Sequence, residues 1–169
     1  MTEWLPDGKR FVVINDRDGF ERIEVRHADQ SKAPEFVTST DFGRAVHLRV
    51  APTGEKLALS NHKHELIVVD LKTKKSRVVD HSPAERISEF NWSPDGRWIA
   101  YSFAPHPQSF IIRIANIEKP SIHDVTNEVR VDCCPAFDPD GKYLYFLGAR
   151  EFYPVYDSVR FDYGFPRAL

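Results

Sequence analysis

Three short stretches of the sequence contain the residue types that ligate metals or take part in redox chemistry. Cys133 and Cys134 are adjacent, His62 and His64 are two positions apart, and Asp16-Arg17-Asp18-Gly19 places two carboxylates beside a glycine. Thiolate and imidazole groups are ligands for zinc, and carboxylates are ligands for calcium. Each stretch therefore has to be weighed against a purely structural role before any chemistry is assigned to it.

The two cysteines lack the spacing of a metal or redox site. The sequence contains no Cys-x-x-Cys pair and no Cys/His spacing typical of zinc. Adjacent cysteines can close only a strained disulfide ring, and a strand directs consecutive side chains to opposite faces. We therefore predict that Cys133 and Cys134 pack in the core as free thiols, which is consistent with a reducing cytoplasm.

The histidine pair and the acidic stretch are typical of turns. His62 and His64 could face the same way at the start of a strand, but no third ligand lies nearby in the sequence. Asn61-His62-Lys63-His64 is therefore predicted to form a solvated hairpin tip. Around Asp16 the calcium-loop spacing is absent, since Ile14 stands where the first ligand should be. This stretch is predicted to be a turn between the first two strands.

The familiar catalytic motifs are missing as well. The sequence has no Gly-x-Ser-x-Gly nucleophile elbow, no His-Glu-x-x-His and no glycine-rich phosphate loop. Its seven histidines and many serines and aspartates do not define a triad without geometry. From the sequence we therefore predict no catalytic, cofactor-binding or metal-ligating residue and no cofactor. The substrate-binding residues are not identifiable from the sequence.

The element that must position every other residue is a turn that recurs almost evenly. It reads Pro6-Asp7-Gly8, Pro52-Thr53-Gly54, Pro94-Asp95-Gly96 and Pro139-Asp140-Gly141, so that its glycines lie 46, 42 and 45 residues apart. Proline fixes φ at the second turn position, and glycine supplies a positive φ. A repeat of about 40 to 50 residues with strand-like runs between the turns indicates a β-propeller, with one blade per repeat.

Each repeat contains four strand-like runs. The run that follows each turn is nearly continuous in apolar residues, as in Leu57-Ala58-Leu59, which is typical of a strand buried on both faces. No stretch has a sustained helical period. The sequence thus predicts an all-β, partial β-propeller of about three to four four-stranded antiparallel blades. We place the blades at approximately 1–40, 41–83, 84–128 and 129–169, within one domain.

Length and charge narrow the expected role. The 169 residues hold three to four repeats, whereas closed propellers usually have about four to eight blades. We therefore expect a piece of a longer polypeptide, with a small complete domain as the alternative. We also expect the first repeat to lack its first strand, because only five residues precede Pro6. A formal net charge of −2 and the lack of a long apolar run predict neither a nucleic-acid nor a membrane partner.

Three segments of the chain resemble the tricorn protease family. The first two surround the third and fourth turns, Phe90–Ser102 and Pro135–Leu147. Their Pro-Asp-Gly turns also occur in the propellers of prolyl oligopeptidase-like and TolB-like proteins. The third segment, the aromatic tail Phe152–Arg167, is more specific. It looks like the late part of the second, seven-bladed propeller of tricorn.

The resemblance implies a serine peptidase that is cytoplasmic, forms homo-oligomers and cuts oligopeptides. It further implies that the catalytic residues belong to a later region with a PDZ-like module, so that no catalytic residue is carried over to this chain. The expected role is to guide or gate oligopeptides on their way to a catalytic domain. Two alternatives remain: a non-enzymatic scaffold for protein–protein interaction, and the propeller of a prolyl oligopeptidase-like peptidase.

Overall fold

The computed structural model describes residues 1–37, 41–128 and 131–150, and the backbone of two short strands at 154–155 and 167–168. Three antiparallel sheets of four strands follow one another along the chain, each with its strands in chain order. We call these sheets blades 1, 2 and 3. Blade 1 consists of β1 (Thr2–Trp4), β2 (Arg10–Asn15), β3 (Arg22–His27) and β4 (Glu35–Phe36). Blade 2 consists of β5 (Ala45–Val50), β6 (Lys56–Asn61), β7 (Glu65–Asp70) and β8 (Ser76–His81). Blade 3 consists of β9 (Phe90–Trp92), β10 (Trp98–His106), β11 (Ser109–Asn116) and β12 (Ser121–Asp124).

The fourth sheet, which we call blade 4, has two strands in the described part of the chain. It pairs β13 (Asp132–Phe137) with β14 (Leu144–Gly148). A separate antiparallel pair joins β15 (Pro154–Val155) to β16 (Arg167–Ala168). The remainder of the tail Phe152–Arg167 lies outside the described residues. No helix long and apolar enough to cross a bilayer occurs in the part of the chain that the structure describes.

The first blade corrects one expectation from the sequence. The five residues before Pro6 were expected to leave this blade without a first strand, but β1 pairs with β2 from Thr2 opposite Val13 to Trp4 opposite Phe11. Three residues suffice because the partner strand supplies the hydrogen-bonding template. The ring of Trp4 adds an edge contact with Phe11 at a centroid distance of 5.5 Å.

The four recurring turns have the predicted geometry. In each, the glycine N–H donates to the carbonyl three residues earlier at 2.8 to 3.0 Å, and the glycine φ lies between +64° and +74°. The turns also pack on one another from blade to blade. A Cβ added at Gly54 would lie 3.2 Å from Pro6 Cδ, and one at Gly96 would lie 3.0 Å from Thr53 Cγ2. The turns of successive blades therefore lie against one another.

Two apolar clusters form the interfaces among blades 1, 2 and 3. One joins blade 1 to blade 2 and includes Val12, Ile23, Leu57 and Leu59. The other joins blade 2 to blade 3 and includes Ala58, Leu66, Ile99 and Tyr101. Consecutive residues 57, 58 and 59 thus alternate between the two interfaces, as side chains on a strand must. This confirms for blade 2 the prediction that the run after the turn is buried on both faces, whereas β14 in blade 4 exposes Tyr145 and Leu147.

Candidate functional site

The first strand of each blade lies at one end of its sheet. β1, β5, β9 and β13 each pair with a single neighbour in their own sheet. Across the blade boundaries β1 contacts β5 and β9 contacts β13. Because a strand at the end of a sheet leaves half of its N–H and C=O groups unpaired within that sheet, these four first strands present backbone groups to any molecule lying alongside. They form the candidate binding surface.

Side chains from neighbouring blades occupy several of these unpaired backbone groups. Glu3 Oε2 on β1 accepts a hydrogen bond from the Val50 N–H on β5 at 3.0 Å. The Arg49 carbonyl on the same strand accepts from Trp92 Nε1 on β9 at 3.1 Å. Glu89 Oε2, just before β9, accepts from the Cys134 N–H on β13 at 2.6 Å. Each blade is therefore linked to the next through the free edge of a first strand.

The candidate surface carries groups of both charges. Arg49 is exposed and lies 3.8 Å from Glu3, measured from Nη1 to Oε1. Partial burial raises the pKa of Glu3, against the opposing effects of the Val50 N–H and Arg49. Burial, and then the charge of Arg49, lower the pKa of His47, whose ring stands edge-on to Phe90 at 5.0 Å. His47 is thus predominantly neutral near neutral pH, and Arg49 is the positive group of β5 on this surface.

The structure contradicts the prediction that both cysteines pack in the core on opposite faces. Cys133 is half-buried and Cys134 is exposed, and their sulfur atoms lie 3.7 Å apart. A β-bulge interrupts the pairing of β13 with β14 between Cys133 and Ala136, and Cys134 adopts a φ of +56°. Since a left-handed residue breaks the alternation of a strand, both thiols come to lie on one side. The sequence gives no glycine or asparagine there to signal such a residue.

Glu89 completes a cluster with these two thiols. Among residues 1–37, 41–128 and 131–150, this is the only group of three or more potential ligands whose donor atoms all lie within 4.8 Å of one another. The hydrogen bond to Cys133, burial and the Glu89 carboxylate raise the pKa of Cys134 to about 11. The Cys134 thiol is therefore protonated at neutral pH and is a poor nucleophile.

The other stretches singled out in the sequence do not join this cluster. His62 and His64 lie in the turn between β6 and β7, as predicted, and His62 Nδ1 accepts a hydrogen bond from the Arg44 N–H at 3.0 Å. Asp16-Arg17-Asp18-Gly19 forms the predicted turn between β2 and β3, where the Gly19 N–H donates to the Asp16 carbonyl. Neither stretch presents a set of converging ligands.

A cleft of about 410 Å³ separates the third and fourth turns. Ser93 and Asp95 form its polar wall. The Asp95 carboxylate accepts hydrogen bonds from the Ser93 hydroxyl and from Arg97 Nε. The Ser93 hydroxyl, followed by the Arg97 N–H, lowers the pKa of Asp95 to about 2. Because these groups already satisfy one another, the acidic residue of the turn stabilises the turn and is not available for acid–base chemistry.

The blades, their stacked turns and the line of first strands define this chain as a segment of a β-propeller. The family model for the tricorn protease second β-propeller domain matches residues 1–169. A tricorn protease homolog from Saccharolobus solfataricus is 36% identical over 165 residues, which cover 98% of this chain and 15% of that protein. The chain belongs to the tricorn protease family, within its second propeller.

Solved structures agree with this placement. The crystal structure of the tricorn protease matches 90% of this chain and 15% of its own chain, with a TM-score of 0.80 at 26% identity. TolB from Acinetobacter baumannii shares the fold alone, with a TM-score of 0.65 at 16% identity over 88% of this chain and 38% of that one. The chain spans between 13% and 22% of the length of these curated tricorn relatives.

Proposed function

We propose that this chain forms part of the wall of a passage that guides oligopeptides toward the catalytic domain of a tricorn-like serine peptidase, and that it hydrolyses none itself. The observation that carries this proposal is the row of first strands, β1, β5, β9 and β13, with their edges on the candidate surface. Free strand edges recognise extended peptides through backbone hydrogen bonds, whatever the peptide sequence. Such a surface suits a mixed pool of oligopeptides.

The hydrogen bonds between neighbouring blades favour a surface along which a peptide moves over one that holds the peptide tightly. A fully free strand edge would hold an extended peptide by strand addition. Here the carboxylates of Glu3 and Glu89 already accept the edge N–H groups of Val50 and Cys134. A passage needs contacts that are favourable enough for entry and weak enough for exit. Partial occupation of the edges lowers the strength of peptide pairing, so that width and charge discriminate among peptides.

The properties of the whole protein belong to the same proposal, and membership of the family supports them. The parent is proposed to be a cytoplasmic homo-oligomer that takes oligopeptides as substrates, with its nucleophile outside this chain. Membership of the tricorn family supports this over a prolyl oligopeptidase-like parent.

A peptide-binding experiment tests the passage. Fluorescein-labelled acidic oligopeptides should bind the chain weakly, and Arg49→Glu should weaken binding about fivefold, since one exposed ion pair contributes up to about 1 kcal/mol. Lys72→Glu, which makes the same charge change in the exposed turn after β7, is the matched control. Fluorescence anisotropy gives the affinities. An equal loss of affinity in the two variants would show that the acidic peptide does not bind at the first strands.

A second assay addresses hydrolysis. The purified chain should not cleave fluorogenic peptides above a buffer blank, because no serine or cysteine side chain hydrogen-bonds to a histidine among the described residues. Turnover that survives repurification and scales with chain concentration would overturn the non-catalytic role while leaving peptide guidance open to the binding test.

A scaffold for protein–protein interaction is the second candidate, and the flanks of the end blades favour it. On β14 the side chains of Tyr145 and Leu147 are 60% and 64% exposed, and in blade 1 Phe20 is 71% exposed. Apolar flanks of this kind pack against further sheets or associate with other molecules. Light scattering at high concentration distinguishes the outcomes: a mass that rises with concentration supports association, and a constant monomeric mass contradicts it.

A further inference from the structure

The strongest unassigned feature of the molecule is the cluster of Cys133, Cys134 and Glu89 at the boundary of blades 3 and 4. Its two thiols are brought together by the left-handed conformation of Cys134, which residues other than glycine rarely adopt. A bulge interrupts the pairing of β13 with β14 at the same point. Bulges of this kind often serve to re-aim a side chain next to a functional site.

The spacing of the donor atoms matches a tetrahedral metal site. Two sulfur ligands at about 2.3 Å from a zinc ion, at the tetrahedral angle, lie about 3.8 Å apart. The Cys133 and Cys134 sulfur atoms are 3.7 Å apart before any metal is bound. A carboxylate oxygen of Glu89 lies within 4.8 Å of both. Small side-chain rotations therefore suffice to place all three donors around one ion.

The carboxylate is also held in place. Glu89 Oε2 accepts the Cys134 N–H at 2.6 Å and faces the Ser102 hydroxyl at 3.5 Å. Hydrogen bonds from groups that do not coordinate the ion, here a backbone N–H and a hydroxyl, orient a ligand, which is one way in which proteins tune metal affinity. One carboxylate oxygen remains for coordination.

We propose that Cys133, Cys134 and Glu89 bind one thiophilic divalent cation of the zinc class, with water as the fourth ligand. The two thiol protons pass to solvent when the ion binds, and two thiolates and one carboxylate then face it. Thiolates select soft or borderline ions, so calcium and magnesium do not compete. The ion ties the residue before β9 to β13, and so fastens blade 4 to blade 3 at the candidate surface.

Cadmium titration of the reduced chain is the test. Cd²⁺ should bind one equivalent and give the ultraviolet charge-transfer band of two thiolates. Cys134→Ser should lose at least half of the band. Glu89→Gln should weaken binding by at least about tenfold, the lower end of the loss seen when even an outer-shell partner is removed. Glu118→Gln, at an exposed carboxylate elsewhere in blade 3, is the matched control and should leave the affinity unchanged.

A measurement on the unmutated chain keeps the proposal falsifiable if a variant does not fold. One equivalent of Zn²⁺ should protect both thiols from alkylation by iodoacetamide, as read by mass spectrometry, and should raise the unfolding temperature. Mg²⁺ at the same concentration should do neither. Unchanged alkylation in Zn²⁺, or a cadmium band of undiminished intensity in Cys134→Ser, would overturn the site.

Discussion

Blade 2 and blade 4 carry the same sequence signal but differ in burial. In blade 2 the strand after the turn is buried on both faces, with Leu57, Ala58 and Leu59 all at 0% exposure. In blade 4 the corresponding strand, β14, exposes Tyr145 and Leu147 on one face. The difference is that blade 2 has a blade on each side and blade 4 has one among the described residues. A run that is apolar on both faces therefore reflects two things: the strand's place in its own sheet and the blades that cover that sheet from either side.

The largest expected effect comes from the same truncation in the two blades. Leu59→Ala should destabilise the chain by about 2 to 5 kcal/mol, because it leaves a cavity between blades 1 and 2. Leu147→Ala should change the free energy of unfolding by no more than about 0.5 kcal/mol, since the side chain is mostly exposed. Urea unfolding followed by tryptophan fluorescence measures both.

Similar losses at the two leucines would contradict the comparison. They would mean that β14 is covered in solution by another copy or by the tail. Repeating the Leu147→Ala measurement over a range of protein concentrations separates these cases, since only coverage by a second copy depends on concentration.

The turns offer a second comparison between a packed and an open position. Gly96→Ala should cost about 2 kcal/mol, because φ is +68° and the new Cβ would meet the Thr53 side chain at 3.0 Å. Gly8→Ala, at a φ of +64° with no atom within 4 Å, should cost about 1 kcal/mol for the left-handed conformation alone. Denaturant midpoints at equal slope give both values. Equal costs would show that the contact between turns adds no stability.

The regular part of the fold could be predicted from the sequence because it depends on local chemistry. Proline followed two residues later by glycine specifies the turn, and a continuous apolar run specifies a strand covered twice, as at Leu57–Leu59. The strand Thr2–Trp4 was missed because its pairing depends on β2 and not on its own pattern. The intrinsic strand propensity of three residues does not include the pairing that a neighbouring strand provides.

The cluster of Cys133, Cys134 and Glu89 could not be predicted from the sequence, for a related reason. The hydrogen bond from Cys134 to Glu89 spans 45 residues and crosses a blade boundary. It exists because a bulge turns Cys134 into the left-handed region, and this residue type gives no local signal for such a conformation. Sequence spacing argued against a metal site, and only the three-dimensional arrangement brings the three ligands together.

The smallest expected effect on stability concerns two tyrosines, one buried and one exposed. Tyr101 is fully buried, and its hydroxyl donates to Asp80 Oδ2 at 2.7 Å, so the link runs from blade 3 to blade 2. Burial and this carboxylate raise the pKa of Tyr101, which keeps the phenol a donor. Tyr101→Phe should lower the free energy of unfolding by about 1 kcal/mol. The loss stays this small because Arg113 still pairs with the Asp80 carboxylate at 3.2 Å. Tyr145→Phe, at an exposed ring, should leave the free energy of unfolding unchanged within about 0.5 kcal/mol. If thermal and urea unfolding show no difference between the two variants, the polar link between blades 2 and 3 adds nothing to the apolar interface around it.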